Sequence, residues 1–361
     1  MEKAKISTHQ LFILIMLFEF GSALLIPLAT NVKQDAWMAI LIGLVGGLFL
    51  FLIYHGLYSY YPNIPLTEYL QVVLGKFVGR FLAFFYVLYF MYIAARVLRD
   101  FGEMLITVYY PTTPLFIINA LMIMSVVYTV RKGIEVLART GEILFTFMIL
   151  LVISGLILIA ISGISQISNL QPVFENGVMP VVKAASSTLF FPYGEVIVFT
   201  MLLPYLKQSE RAKKTGLLAL GLSGLLLALI TAINISVLDV SIISRSPFPL
   251  LSTIQTIEVA GFLERMDVTF MLLSVLGGFF KISIFSYASV VGTANLFKIK
   301  DSYKLAYPIG LVILVISMTI ASNFSEHIRE GLKVIPLYVH LPFQIIIPIL
   351  LLFIAFLKNK K

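Results

Sequence analysis

The sequence predicts an all-α integral membrane protein built from ten transmembrane helices. Three observations point there. The 361 residues are 60% hydrophobic and only 12% charged, against about 25% charged and 45–50% apolar in an ordinary soluble domain. The apolar residues gather into runs of about 20, the length that crosses a bilayer as a helix. Those runs are too long and too continuously apolar for the alternating segments of a transmembrane barrel, and only a helix satisfies its own backbone within one segment in lipid. This composition excludes aqueous enzymes, nucleic-acid binders and secreted disulfide scaffolds. The chain has no cysteine, which removes thiolate nucleophiles and zinc–thiolate sites. The four histidines, His9, His55, His327 and His340, lack metal-ligand spacing. No phosphate-binding glycine loop or catalytic triad occurs, so no enzymatic activity, metal or other cofactor is expected.

In order, the predicted spans cover residues 8–30, 36–58, 81–108, 111–130, 142–163, 181–206, 216–239, 267–297, 304–323 and 334–357. The first resembles a signal peptide behind Lys3 and Lys5. However, Glu19 interrupts it and no small-residue cleavage site follows, so it reads as a retained span. Placing both termini in the cytoplasm puts 17 lysines and arginines on the inner side and 6 on the outer. The positive-inside rule favours that orientation, and an even number of spans requires both termini on one side.

Ten spans divide into five and five, and an odd number per half makes the second half insert inverted. The division expected is 1–163 for the first five-helix repeat, 164–180 for a linker and 181–361 for the second, together forming one membrane domain. The two long loops, 59–80 and 240–266, occupy equivalent places in the halves. Each has a proline-marked turn followed by an amphipathic stretch: Pro62 and Pro65 before 66–78, and Pro247 and Pro249 before 250–263. Spans one and six are interrupted, by Phe18-Glu19-Phe20-Gly21-Ser22 with Pro27 and by Phe191-Pro192-Tyr193-Gly194-Glu195. Gly- or Pro-broken segments at matching positions of two halves mark the site in transporter-type folds. A simple kink packed against its neighbours is the plainer reading of Pro192 and Gly194 alone; the matching break in span one argues against it.

Deep charges are confined to four spans. Span one carries Glu19, span six Glu195 and span eight Lys281, while span three carries Arg96, Arg99, Asp100 and Glu103. Each ionised group at mid-span costs roughly 2.5–3.5 kcal/mol on insertion scales, so it should face protein or water. Spans one, three, six and eight line the central site of the LeuT-type 5+5 inverted-repeat fold, in which helices 1 and 6 are discontinuous. On span three, Arg96 with Asp100 and Arg99 with Glu103 are i,i+4 pairs and read as structural or coupling charges. Tyr89, Tyr92, Arg96 and Glu103 fall near one face and are placed on the approach to the site. Lys281 has no local acid, so it needs Glu19 or Glu195; its plain reading is a helix anchor indifferent to ligand. His340, beside Pro342, reads as a satisfied polar contact.

Taken together, these stretches resemble the spore germination receptor B-subunit family (GerAB-like), a branch of the amino acid/polyamine/organocation transporter superfamily. The resemblance rests on Arg99-Asp100-Phe101-Gly102-Glu103 with Pro111-Thr112-Thr113-Pro114 and on Phe191 to Glu195 followed by the basic run to Lys214. It rests also on Phe262-Leu263-Glu264-Arg265-Met266-Asp267 with Phe280-Lys281 downstream. It covers essentially the whole chain. It implies a nutrient sensor in the inner membrane of a bacterial spore, acting with a receptor A subunit and a lipoprotein C subunit. The ligand implied is a small nutrient such as an amino acid, sugar or nucleoside, and no nucleic acid is involved.

The expected site lies at mid-membrane. Backbone amides at Gly21, Ser22 and Ala23 are expected to hold an anionic group. Carbonyls around Tyr193 and Gly194, with Glu19 or Glu195, are expected to take an ammonium or hydroxyls. Phe20, Phe191 and Tyr193 form the walls, Tyr92 and Arg96 the approach, and Lys281 a fixed cation. Segment 246–263 is a candidate lid or docking surface. Two rival readings are a proton- or sodium-coupled amino acid permease and a channel or scaffold without ligand specificity.

Overall fold

The computed structural model describes residues 5–257 and 267–359. Residues 258–266, with the end of the candidate lid and Phe262 to Met266, lie outside them. The helices are α1 (Thr8–Ala23), α2 (Ala36–Tyr60), α3 (Leu66–Leu74), α4 (Lys76–Val108), α5 (Leu115–Arg131), α6 (Ile134–Ser162) and α7 (Val178–Phe190). They continue with α8 (Ala212–Ile243), α9 (Pro249–Gln255), α10 (Asp267–Phe297), α11 (Ala306–Thr319), α12 (Phe324–Lys333) and α13 (Ile347–Asn359). Among the described residues, seven helical segments are long and apolar enough to cross a membrane, and α1 and α5 are shorter apolar helices.

The start of α1 follows from its first four residues. Ser7 Oγ accepts the Gln10 amide at 3.1 Å and Gln10 Oε1 accepts the Ser7 amide at 2.9 Å, a capping box that satisfies donors no helix turn can reach. From Leu11 to Ala23 nearly every residue is buried, the pattern of a helix enclosed on all sides. The preceding strand-like residue Ile6 exchanges backbone hydrogen bonds with the far end of the 193–206 stretch, Ile6 N to Tyr205 O at 2.9 Å and Lys207 N to Ile6 O at 3.0 Å. The two interrupted stretches are thus tied to one another at one end.

α1 ends at Ala23, and residues 24–29, with Pro27, are not helical before a short tight turn at Thr30–Asp35. α7 ends at Phe190 because Phe191 precedes a proline, which disfavours the helical region for it; Phe191 is extended at φ −135°. The chain then tightens into 3-10 turns over Tyr193–Met201. The 59–80 and 240–266 loops carry α3 and α9. The second amphipathic stretch, expected over 250–263, is helical over Pro249–Gln255, with 258–263 outside the described residues. The first, expected to reach 78, stops at Leu74. Gly75, at φ +83°, turns the chain there into a conformation that glycine alone adopts freely, and α4 begins five residues before the predicted span.

α10 packs against both α1 and α4. Its crossing with α1 depends on two glycines. A Cβ on Gly277 would lie 2.9 Å from Gly21 Cα, and one on Gly21 would lie 2.9 Å from Lys281 Cδ. With no side chains between them, the backbones approach closely and the Lys281 stem runs alongside α1. α6 sits at the other extreme: it is strongly apolar yet exposes Ile143, Leu150, Ile153, Ile157 and Ile161, a face suited to lipid rather than to protein.

Candidate functional site

Lys281 projects from α10 into the space between α1 and the 191–195 stretch, with no exposure to solvent. Its Nζ lies 2.6 Å from Glu195 Oε2, which decides between the two acids left open by the sequence. The ammonium also sits 4.8 Å from the Phe18 ring centroid and 4.7 Å from that of Phe191, close enough for cation–π attraction. A dry ion pair must recover its desolvation cost from such contacts. Recovery is incomplete here. Both carboxylate oxygens of Glu19, Ser22 Oγ and the Tyr193 hydroxyl are buried without a hydrogen-bond partner among the described residues. Glu19 nevertheless lies within electrostatic reach of Lys281 and Glu195.

A second polar network closes the opposite wall. Gln344 Nε2 donates to the Tyr89 hydroxyl at 2.9 Å and lies 3.0 Å from His340 Nδ1, which is also 3.0 Å from the Tyr89 hydroxyl. The Tyr54 hydroxyl contacts the Gln344 and Gly194 carbonyls at 2.7 and 3.3 Å. Gly194 O, one of the carbonyls expected to take an ammonium or hydroxyls, thus has the Tyr54 hydroxyl as its neighbour at 3.3 Å and keeps a second lone pair. His340 is the satisfied contact that its sequence context suggested.

Above Glu195 lies a cavity of ≈ 40 Å³ bounded by Ile26, Arg96, Asp100, Phe191, Glu195 and His340, room for a few water molecules. Ile328, Gly331 and Leu332 of α12 roof it. The expected Arg96–Asp100 pair is not formed. Asp100 Oδ1 instead lies 2.7 Å from His327 Nε2 of α12, and Arg96 Nη2 donates to the His327 carbonyl at 2.6 Å. The buried ring and carbonyl of another helix outcompete the i,i+4 neighbour because they complete hydrogen bonds that water cannot reach. Arg99 and Glu103 do pair, at 2.7 Å. Arg99 Nη1 also donates to Ser317 O of α11 at 3.2 Å, so this pair points away from the cavity. Of the two span-three acids, Asp100 rather than Glu103 borders the cavity. Tyr92 is half-buried, with its hydroxyl 3.5 Å from Arg96 Nη1.

Gly21, Ser22 and Ala23 fall in the last turn of α1 rather than after the break. The end of a helix presents carbonyls rather than amides, so this turn suits a cation or hydroxyl better than an anion. Ser22 O is already taken by the Leu25 and Ile26 amides at 3.1 and 2.9 Å, which leaves Gly21 and Ala23 to offer carbonyls. Ala23 borders a different cavity, with Leu24 and Pro27. Phe20, expected to wall the pocket, is buried in the core. Segment 246–257 is held down: Thr253 Oγ1 donates to Asn234 Oδ1 at 2.8 Å, and the Phe248 ring packs 5.9 Å from that of Phe324.

Sequence reasoning missed His327, Gln344, Tyr54 and Phe18. Gln344 was findable as a lone polar residue inside an apolar run. His327 was not, since Ser325 to Lys333 reads as an exposed polar loop. Among the described residues no group of three His, Asp or Glu is arranged to hold a metal.

These features define a polytopic membrane protein with a transporter-like centre. Its fold is similar to that of MhsT, solved in complex with L-phenylalanine, a LeuT-fold structure: the TM-score is 0.67 over 98% of this chain and 86% of that one, at 15% identity. The family model described as spore germination protein matches residues 5–325. The chain is 54% identical to spore germination protein KB of Bacillus subtilis strain 168, over 100% of this chain and 97% of the relative. It is 25% identical to spore germination protein YndE of the same organism over 82% of each chain, and 24% identical to its spore germination protein A2 over 99% and 97%. The chain belongs to the spore germination protein family.

Proposed function

We propose that this chain is the nutrient-sensing subunit of a spore germination receptor, binding a small molecule in a transporter-like pocket and signalling to its receptor partners. Family membership and the resemblance of the whole chain to germination proteins support the class. The observation that carries the mechanism is the buried Lys281–Glu195 pair beside an unpartnered Glu19. These groups meet where α1 and the 178–201 segment both lose regular helix.

In this reading the chain crosses the spore inner membrane ten times, as 5+5 inverted repeats (1–163 and 181–361) joined by 164–180, with both termini on the core side. Helices one and six are the discontinuous ones. A polar nutrient enters beneath α12, passes Arg96 and Tyr92, and docks among Glu19, Phe20, Phe191, Tyr193, Glu195 and Lys281. The carbonyls of Gly21 and Ala23 and the buried Ser22 hydroxyl face its cationic or hydroxyl groups, and Gly194 gives the backbone room beside Gln344. Asp100, Arg99 and Glu103 couple span three to α12 and α11. Binding shifts the conformational equilibrium only by its differential affinity for two states, and the shift is read by an A subunit and a lipoprotein C subunit.

Spores carrying Lys281→Met at normal protein level test this reading. They should lose the nutrient response, and a normal response would sink the site. The rival permease is favoured by one observation, the likeness to a structure solved with an amino acid. Proteoliposomes of the protein alone, given labelled nutrients and a proton or sodium gradient, separate the two. Saturable binding without accumulation fits the sensor, and concentrative uptake fits the permease.

A further inference from the structure

Far from the central site, the start of α4 and the end of α10 enclose an open groove of ≈ 670 Å³ bounded by Lys76, Arg80, Lys298, Phe77, Phe81 and Phe84 among others. We propose that this groove is a binding site for one anionic phospholipid, its headgroup phosphate held by Lys76, Arg80 and Lys298 and its acyl chain laid along the phenylalanines. The proposal is independent of the nutrient site.

Three independent features support it. First, the charge is one-sided, since no carboxylate is among the groove-lining residues. The first turn of α4 adds to it: Gly75 offers no side-chain cap, so unpaired amides and the positive end of the helix dipole lie beside Lys76.

Second, charge and apolar surface are ordered as in a phospholipid. Phe77 is 88% exposed and Phe81 60%, and Phe84 follows at the next turn. Positions 77, 81 and 84 share one helix face and descend roughly 10 Å at the helical rise. Basic groups sit at the helix start and aromatic rings run inward from them. A soluble acidic partner would match the lysines but not a stripe that continues into the hydrocarbon.

Third, the lysine at 298 occupies a conformation that glycine usually fills. Its φ is +55°, and the Ile299 amide bonds Ala294 O at 2.9 Å across the end of α10, the pattern of a helix stop whose left-handed residue is ordinarily glycine. Retaining an L side chain there costs free energy, and such strain points to a use for the side chain. Arg80 is fixed in the same place, because its Nη2 donates to Leu296 O at 2.9 Å. That leaves the rest of its guanidinium free to face an anion.

The test is native mass spectrometry of the detergent-purified full chain, titrated with phosphatidylglycerol, phosphatidylcholine or inorganic phosphate. Wild type should bind phosphatidylglycerol in preference to phosphatidylcholine. The Lys76→Gln/Lys298→Gly double variant should weaken that binding by roughly thirtyfold, given the usual worth of two basic residues at an anionic surface. Its Tm should be unchanged or higher, because glycine relieves the strain at 298. A control, Lys213→Gln/Lys214→Gln in the other basic run, should bind as wild type does. Equal retention of both lipids, an unaffected double variant or equal loss in the control would overturn the proposal. So would displacement of the lipid by millimolar inorganic phosphate, which would make the site one for a free anion.

Discussion

Two buried charge clusters border the same small cavity and differ in how completely they are satisfied. At its outer wall, Asp100, Arg96 and His327 exchange hydrogen bonds between α4 and α12, and of their fully buried side-chain polar atoms His327 Nδ1 is the one without a partner among the described residues. At its floor, Lys281 meets Glu195 and two aromatic faces, while Glu19, Ser22 and Tyr193 keep buried polar atoms without partners. Burying a polar atom unpaired costs about 1–3 kcal/mol. A fold can carry several such atoms together only where some other contribution offsets them or where a ligand completes them. The outer cluster is thus the more completely bonded of the two; in the proposed function it serves as a structural latch, and the inner one is where the ligand adds partners.

The largest effects should separate the two clusters most clearly. Lys281→Met leaves the Glu195 carboxylate uncompensated, and breaking one side of such a pair costs about 3–5 kcal/mol. The double variant Glu195→Gln/Lys281→Met should recover most of the lost thermal stability in detergent. The nutrient response of spores carrying it should stay absent. Recovery of the response along with stability would make the pair a mere anchor and erase the contrast.

Next comes the latch. Asp100→Asn weakens the bond to His327 and should lower stability by about 1–3 kcal/mol, while nutrient preference stays as in wild type. A changed preference in germination dose–response curves would move the site outward, into the cavity beneath α12.

Gly21→Ala probes the crossing that lets Lys281 pass. The added methyl meets Lys281 Cδ at 2.9 Å and Gly277 O at 3.1 Å, and overpacking of this kind costs about 1–3 kcal/mol. It should also displace the ammonium from Glu195, so response should fall more than the Tm suggests. Proportional losses would put Gly21 on the structural side of the comparison. At the small end stands Arg139, whose exposed i,i+4 pair with Glu135 serves neither cluster. Arg139→Ala should shift stability by no more than about 0.5 kcal/mol and leave the response unchanged, and a larger effect would mark this surface as an interface.

Much of this arrangement was legible in the chain itself, for reasons that differ by residue. Glu19, Glu195 and Lys281 stood out because an ionised group in a long apolar run is too costly to be incidental. The ends of α1 and α7 were approached through Pro27 and Pro192, whose effect on the backbone is local. The span-three charges were only half legible. Arg99 and Glu103 pair on their own helix as their spacing indicates, but Arg96 and Asp100 have the same spacing and turn to His327.

Sequence alone determined that the protein lies in a membrane, that it is helical there, and which charges must be hidden. Those facts depend on the cost of exposing backbone and charge to hydrocarbon, which each segment meets by itself. Tertiary structure decided which hidden charges meet. Lys281 chooses Glu195 over Glu19 because α10 crosses α1 at a pair of glycines, and Asp100 chooses His327 because α12 folds back over the cavity. Both choices depend on the approach of helices far apart in the chain, a geometry that no local pattern of residues encodes.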